Sequence, residues 1–161
     1  MQIIKLKKEN ITEVMTILNE NYNEVMKKFH SQAVLDRFKK HNTYENWENQ
    51  MKWKEIFVVQ DNEIIIATGS LANFGDDTSS KYCISNFFVG SKFQNKGVGK
   101  FLFKHILEIS KNKGINLLHV PSSRTGFEFY KKVGFIKDDI QDDEIDEIIW
   151  MTLKISDYIS I

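Results

Sequence analysis

The sequence reads Gln94-Asn95-Lys96-Gly97-Val98-Gly99-Lys100 between a strand-like segment, residues 82–89, and a helical pattern that begins at Val98. Glycines at a junction between a strand and a helix expose several backbone N–H groups around one point. The positive end of the helix dipole adds to the attraction of these donors for an anion. The junction therefore predicts a binding site for a phosphate group.

Two common phosphate-binding motifs do not match these residues. A P-loop requires a glycine at the position of Gln94 and a serine or threonine at the position of Phe101. The dinucleotide fingerprint requires a third glycine, where this chain has Leu102, and it usually follows the first strand of its unit. The residues therefore predict neither a nucleoside triphosphate nor a dinucleotide as the ligand.

A second motif lies further along the chain, between Ser123 and Phe135, and contains Phe129-Tyr130 and Gly134-Phe135. Together with the loop pattern Gln-x-x-Gly-x-Gly, it resembles the GCN5-related N-acetyltransferase (GNAT) family. The later motif of that family reads Asn-x-x-Ala-x-x-Phe-Tyr-x-x-x-Gly-Phe. Ser123 stands where the family usually has asparagine, and Gly126 where it usually has alanine. The resemblance extends from about residue 82 to residue 135.

The resemblance implies one N-acetyltransferase domain over residues 1–161, of the mixed α/β (α+β-like) class. In the acyl-CoA N-acyltransferase fold, a mostly antiparallel sheet of six to seven strands parts between its fourth and fifth strands, with helices on both faces. The apolar patterns predict the following elements: strands 2–6, 56–60, 64–72, 82–89, 116–120, 135–137 and 145–155, a helix to residue 29, helical residues 31–54 interrupted near 41–43, and helices after Gly97 and Ser123. In the helix after Gly97, the spacing predicts a buried face made of Val98, Phe101, Leu102, Ile106 and Ile109. We also expect Pro121 to end the strand that contains residues 116–120.

By resemblance, the acyl donor is acetyl-CoA and the acceptor is a primary amine of a small molecule or a peptide. The pantetheine arm would pair with the fourth strand as an added strand does, and the pyrophosphate would bind the glycine loop. The candidate residues for binding the donor are Phe87, Phe88, Val89, Gln94, Asn95, Lys96, Gly97, Val98, Gly99, Lys100 and Ser123.

The resemblance also assigns chemistry to Tyr130, whose hydroxyl would donate a proton to the departing thiolate. Family members often have a carboxylate on the fourth strand, at positions that hold Cys83 and Ser85 here. The acceptor amine would then lose its proton through an ordered water, through another acid, or before it binds. A nucleophilic Cys83 is an alternative, but an inert buried thiol is the favoured interpretation.

Composition agrees with an ordinary globular protein. The 161 residues contain 22 acidic and 22 basic side chains, so no net charge attracts nucleic acid or an anionic membrane. No apolar run reaches the ~18 residues of a membrane span, and Met1–Leu6 does not read as a signal peptide. We therefore expect a cytoplasmic protein, with a homodimer possible by family analogy. The four histidines show no metal-ligand spacing, so no metal is expected.

Three functions stay open on the sequence: an N-acetyltransferase, a non-catalytic acyl-CoA-binding or sensing module, and an interaction protein that keeps only the fold. The intact glycine loop argues against the third. An acidic segment near the end of the chain would lie at the acceptor entrance by family analogy, although a solvated loop is the simpler interpretation. Its acidic residues are Asp138, Asp139, Asp142, Asp143, Glu144, Asp146 and Glu147.

Overall fold

Seven short apolar segments pair into one sheet in a computed structural model, which describes residues 1–139 and 147–158. The strands are β1 Gln2–Lys5, β2 Glu55–Asp61, β3 Ile64–Asn73, β4 Tyr82–Val89, β5 Leu117–Ser122, β6 Ile136–Lys137 and β7 Ile149–Lys154. Their order is β1-β2-β3-β4-β5-β7-β6, and each neighbouring pair is antiparallel except the parallel pair β4 and β5. The predicted mostly antiparallel sheet is confirmed.

The parallel pair is short, which is the feature that opens the sheet. β4 and β5 pair in register at one position, Cys83 with His119. β5 nevertheless continues along β7, where Pro121 stands opposite Trp150. The prediction that Pro121 ends this strand is therefore wrong. A proline, which has no N–H, is tolerated in a strand where a ladder hydrogen bond is not required.

Helices cover both faces of the sheet, as predicted. They are α1 Ile11–Asn21, α2 Lys27–Phe29, α3 Gln32–His41, α4 Tyr44–Gln50, α5 Val98–Asn112 and α6 Phe127–Lys132. The buried side chains of α5 and α6 belong to one apolar cluster with Ile84 of β4. Those of α1 and α4 belong to a second cluster, on which Phe88 packs from the other side of the same strand.

The buried face of α5 is rotated from the predicted one. Phe101 is 37% exposed, whereas Phe103 and Leu107 are buried. The rings of Phe135 and Tyr158 pack on Phe103, so the buried stripe is shifted away from Phe101 and toward Phe103. The assignment of Phe101 to the core was therefore wrong, and that of Val98, Leu102 and Ile106 was right.

The first helical region contains a change of pitch. A π-helical turn, Tyr22–Met26, joins α1 to α2 where the sequence predicted one regular helix to residue 29. Such turns are common at functional sites because they displace side chains from the regular helical face. Here the turn follows directly on Asn21, which is buried.

β4 is bulged in its middle. Ser85 pairs with Ser70 of β3, whereas Phe88 pairs with Thr68, so β4 contains one extra residue between these pairs. Asn86 takes up the irregularity with a φ of +51°, in the left-handed region that asparagine tolerates better than most residues. The bulge reorients the strand at the point where it leaves β5.

Candidate active site

A cleft of about 880 Å³ lies between the separating ends of β4 and β5. Most residues that the sequence predicted for donor binding line it, namely Phe87, Phe88, Val89, Gln94, Asn95, Gly97, Gly99, Lys100 and Ser123, together with the predicted catalytic Tyr130. Lys96 and Val98 do not line the cleft; Lys96 is exposed and the side chain of Val98 is buried in the core. The two sequence motifs therefore meet in one place, although 22 residues separate Lys100 from Ser123.

The glycine loop has the backbone of an anion site. Asn95 and Gly97 have φ angles of +60° and +83°, and α5 begins at the next residue, Val98. Alternation between left-handed and ordinary backbone directs successive N–H groups toward one side of the loop. The first N–H groups of a helix have no acceptor inside it, so they add to the same positive region.

Gly99 allows the second motif to pack against this loop. A Cβ atom at Gly99 would lie 3.1 Å from Cε2 of Phe129, a distance at which one of the two groups would have to move. The ring of Phe129 contacts those of Phe87 and Tyr130, at centroid distances of 5.4 and 5.3 Å. Phe129 thus joins the loop, β4 and α6, and it packs against the apolar core while its ring also lines the cleft.

Tyr130 is held by aromatic rings on several sides. Its ring lies 5.9 Å from that of Phe87 and 5.5 Å from that of Phe135, and only 6% of the residue is exposed. Burial raises the pKa of the Tyr130 hydroxyl far above its usual value of 10. Among the residues that the structure describes, no partner hydrogen-bonds to this hydroxyl. Tyr130 therefore offers the cleft a neutral proton donor.

Ser123 lines the same cleft as Tyr130 and shapes the turn that begins α6. Its Oγ accepts a hydrogen bond from the backbone N–H of Gly126 over 3.2 Å and lies 3.0 Å from Oγ1 of Thr125. The absence of a side chain at Gly126 leaves room for Tyr130, since a Cβ there would lie 3.3 Å from the ring. The side chain of Ser123 thus lines the cleft while it also fixes the local backbone.

Asn21 is a residue of the site that the sequence reasoning missed. Its Nδ2 donates to the backbone carbonyl oxygen of Val89 over 3.0 Å, and its Oδ1 accepts from Nε2 of Gln94 over 3.1 Å. Asn21 is one of the polar residues buried in the described chain. The sequence pattern could have revealed this residue, because position 21 falls on the same apolar helical face as Val14 and Leu18. A polar residue on an apolar face is the informative observation.

The two positions on β4 that lack a carboxylate have different surroundings. Cys83 is fully buried and does not line the cleft. Burial raises the pKa of its thiol to about 11. These facts support the inert thiol that the sequence analysis favoured. Ser85 does line the cleft, and its hydroxyl lies 3.1 Å from Nζ of Lys54.

Three residues of the predicted acidic segment can be described, and Asp142, Asp143, Glu144 and Asp146 lie outside the described residues. Asp138 accepts a hydrogen bond from the hydroxyl of Thr152, and Asp139 is exposed. Glu147 is buried, with an Oε2 atom 2.8 Å from Nδ1 of His30. The charge of Glu147 is therefore directed into the protein rather than toward an incoming cation.

Residues 1–139 and 147–158 contain no cluster of three or more histidine, cysteine, aspartate or glutamate side chains that could hold a metal ion. None of the helices in that part of the chain is long and apolar enough to cross a membrane.

Comparison with protein families gives a match along most of the chain. The family model described as the acetyltransferase (GNAT) domain matches residues 19–155. The chain belongs to the GNAT acetyltransferase family. The match covers the glycine loop, the Phe129-Tyr130 helix and the parting strands, so the recognition made from the two motifs is confirmed. A search of curated proteins found no match.

Solved structures similar to this GNAT acetyltransferase support the fold assignment. PaiA N-acetyltransferase from Thermoplasma acidophilum, in complex with coenzyme A, aligns with a TM-score of 0.80 at 20% identity, over 95% of this chain and 98% of that chain. A GNAT family acetyltransferase from Elizabethkingia anophelis with acetyl-CoA bound aligns at 0.57 and 25% identity, over 70% and 83%. An aminoglycoside 6'-N-acetyltransferase complexed with coenzyme A aligns at 0.69 and 12% identity, over 96% and 97%.

Proposed function

We propose that this GNAT acetyltransferase transfers the acetyl group of acetyl-CoA directly to a primary amine of a small molecule or a peptide. The observation that carries the proposal is that both sequence motifs line one cleft at the point where β4 and β5 separate. Solved relatives with coenzyme A or acetyl-CoA bound support the choice of donor.

The donor half of the cleft is assigned to the glycine loop and β4. Backbone N–H groups between Gln94 and Lys100 hold the pyrophosphate, and the left-handed backbone at Gly97 gives the close approach. The pantetheine arm runs beside Phe87, Phe88 and Val89, where β4 no longer has β5 as a neighbour. An extended ligand there pairs with the strand as an added strand would.

Tyr130 serves as the general acid. The attacking nitrogen forms a bond to the thioester carbon, the carbon–sulfur bond breaks, and the hydroxyl of Tyr130 protonates the departing thiolate. The raised pKa keeps this hydroxyl protonated across the physiological range, which is the form that a proton donor requires. Most of the remaining rate enhancement comes from holding the amine beside the acyl carbon.

The acceptor half is assigned to the face of the sheet that carries α1, α3 and α4. The cleft on this side is lined by Val25, Met26 and Phe38, with the polar side chains of Ser85 and Asn86 beside them. Apolar walls with a few polar groups are typical of sites for small molecules. One solved relative acts on an aminoglycoside, which supports an amine acceptor.

Two measurements test the proposal. Saturating acetyl-CoA should raise the thermal midpoint of unfolding, because a ligand that binds only the folded state stabilises it. A panel of amines, amino acids, aminoglycosides, polyamines and lysine peptides should then contain an acceptor that releases free thiol from acetyl-CoA. Stabilisation without thiol release from any acceptor would favour the non-catalytic binding module, and no stabilisation would contradict both functions.

Three further expectations accompany the proposal. We propose that residues 1–161 act as a single acetyltransferase domain, which should unfold in one cooperative transition. The homodimer stays a prediction that sedimentation at several protein concentrations would test. The cytoplasmic location also stays a prediction.

A further inference from the structure

A compact polar network lies at the bulge of β4. Nζ of Lys54, which follows α4, lies 3.1 Å from both Oγ of Ser85 and Oδ1 of Asn86. The buried Ser70 of β3 also joins these groups, with its Oγ 2.8 Å from Oγ of Ser85 and 2.9 Å from Oδ1 of Asn86. Nδ2 of Asn86 donates to Oε1 of Gln50 over 2.9 Å, which connects the network to the end of α4.

The ammonium group of Lys54 is poorly solvated and lacks an anionic partner. It lies 4.9 Å from the ring centre of Trp53 and 5.1 Å from that of Phe74, and it forms no ion pair with a carboxylate of any described residue. Burial lowers its pKa from 10.5 to about 8. The titratable group that acts in the other direction is the thiol of Cys83 on β4, whose ionised form would raise the pKa of Lys54. Lys81 also interacts with this thiol. That thiol is neutral near pH 7, because its own pKa is raised to about 11.

The network stands on the acceptor side of the sheet. Gln50 and Lys54 belong to α4 and the segment after it, on the face opposite α5 and α6. Among the described residues that line the cleft, Glu128 is the acidic one. It lies on α6, on the other face of the sheet, and is exposed. Ser85 and Asn86 reach the cleft itself, whereas Lys54 stands behind them. On this side, Ser85 therefore presents a hydroxyl to a bound amine, and no carboxylate of a described residue lines the cleft there.

We propose that Ser85 and Lys54 form the proton relay that deprotonates the acceptor amine, with Ser85 in contact with substrate and Lys54 as the final base. The proposal rests on the proposed function, since it names the residues that make the acceptor nucleophilic. Asn86 and Ser70 hold the two members of the relay at hydrogen-bonding distance.

The proton balance of the relay is complete. The acceptor ammonium gives a proton to Oγ of Ser85, whose own proton passes to the uncharged Nζ of Lys54. The resulting neutral amine attacks the thioester carbon, and the second nitrogen proton balances the proton that the thiolate receives when the carbon–sulfur bond breaks. Lys54 then releases its proton to water, so that one amide, one free thiol and one proton are formed.

The variants K54R and K54M test this relay. Arginine keeps a positive donor but does not lose its proton in the accessible pH range, and methionine keeps an unbranched, slightly shorter side chain without a titratable group. Both variants should lower kcat/KM about 10²-fold at pH 8. In the wild type, kcat/KM should rise with pH and reach a plateau near pH 8. This rise should be absent in both variants. S85A should give a loss of similar size, because it removes the hydroxyl that connects the cleft to Lys54.

The exposed neighbour Lys52 provides the matched control, since K52R makes the same exchange two residues away. K52R should keep both the rate and the pH profile of the wild type. Calorimetry with acetyl-CoA should give K54R and the wild type the same Kd, because the relay contacts the acceptor half alone. Should K54R prove unstable by thermal unfolding, K54M provides the same measurement. The NMR titration of the Lys54 side chain in the free protein should show a pKa near 8.

The outcomes separate this inference from the proposed function. Absence of acetyl-CoA binding, or of thiol release by the wild type with every amine tested, contradicts the proposed function and the relay with it. Turnover by the wild type that K54R and K54M match in rate and pH profile contradicts the relay alone. A loss of acetyl-CoA affinity in K54R that equals its loss of turnover would also overturn the relay, since Lys54 would then only support β4.

Discussion

Asn21 and Gln94 direct their side-chain amides at one acceptor, the backbone carbonyl oxygen of Val89, from 3.0 and 3.1 Å. The two amides also bond to each other, so α1, the end of β4 and the glycine loop are joined at one point. A carbonyl oxygen has two lone pairs, and both are used here. A donor arm bound as proposed would therefore bond to the backbone N–H of Val89 or contact the Val89 side chain, but not the carbonyl oxygen.

Asn21→Leu tests the importance of this junction for the donor site. Leucine has a similar size but makes neither hydrogen bond, so the loop that begins at Gln94 loses its tie to α1. A hydrogen bond contributes about 1 kcal/mol, and KM for acetyl-CoA should rise about 3- to 10-fold while kcat changes little. Steady-state kinetics at saturating acceptor measure both constants.

The exposed Asn19 on the same helix is the control for this substitution. Asn19→Leu should leave KM for acetyl-CoA at the wild-type value. An equal rise of KM in both variants would mean that α1 tolerates no leucine at its end, and the specific role of the junction would be refuted.

The residues proposed for the donor half of the site could be located from the sequence because they belong to local motifs. Residues close together in the chain determine the left-handed backbone near Gly97 and the start of α5. Phe129 and Tyr130 are likewise neighbours on one helix. Family resemblance then connected the two segments. The mostly antiparallel sheet that parts between its fourth and fifth strands followed from the same resemblance, and the order of the elements along the chain agreed with it.

The remaining features depend on contacts that no local pattern encodes. Asn21 meets Val89 across 68 residues of chain, and Lys54 meets Ser85 across 31. Both contacts require the sheet to be assembled before the polar groups become neighbours. The face of α5 was also misjudged, because Phe103 is buried through contacts with the ring of Phe135 as well as by its position on the helix.

Gly97→Ala should weaken acetyl-CoA binding beyond its effect on stability. A Cβ at Gly97 meets no atom within 4 Å, but the φ of +83° is unfavourable for alanine by about 1 kcal/mol. Relief of this strain changes the direction of the N–H groups in the loop. The Kd for acetyl-CoA, measured by calorimetry, should therefore increase about 10-fold, which corresponds to ~1.4 kcal/mol.

Gly114 is the control for this effect, because its φ of +74° and its open surroundings match those of Gly97. It follows α5 at the opposite end from the glycine loop. Gly114→Ala should lower the free energy of unfolding by a similar amount and leave the Kd unchanged. Identical Kd values for the two variants and the wild type would show that the backbone of the loop does not bind the donor.

Glu147 should make stability depend on acidic pH. The backbone N–H of Ser31 donates to Oε1 of Glu147 over 3.0 Å, and this contact, with those of His30 and the more distant Arg124, lowers the pKa of the carboxyl from 4.5 to about 2. Because the pKa is lower in the folded protein, the carboxylate stabilises the fold fully above about pH 5. The contribution is lost as the pH falls toward 2.

Glu147→Gln should lower the free energy of unfolding at pH 7 by roughly 1 kcal/mol, since the amide keeps one oxygen acceptor but loses the charge-assisted bonds. The difference from the wild type should shrink as denaturant titrations move from pH 5 to pH 3. Glu9→Gln, at an exposed position, should match the wild type throughout. A difference that stayed constant down to pH 3 would show that the charge of Glu147 is not the cause.

Tyr130→Phe should separate chemistry from packing. Phenylalanine keeps the ring contacts with Phe87, Phe129 and Phe135, and the hydroxyl has no described hydrogen-bond partner to lose. The thermal midpoint and the Kd for acetyl-CoA should therefore stay close to the wild-type values. The loss of the proton donor should lower kcat about 10²-fold with the acceptor found in the amine panel. Tyr82→Phe, at a tyrosine of β4 outside the cleft, should keep the wild-type kcat. If Tyr130→Phe turned over as fast as Tyr82→Phe, the thiolate would receive its proton from another source, and Tyr130 would serve packing alone.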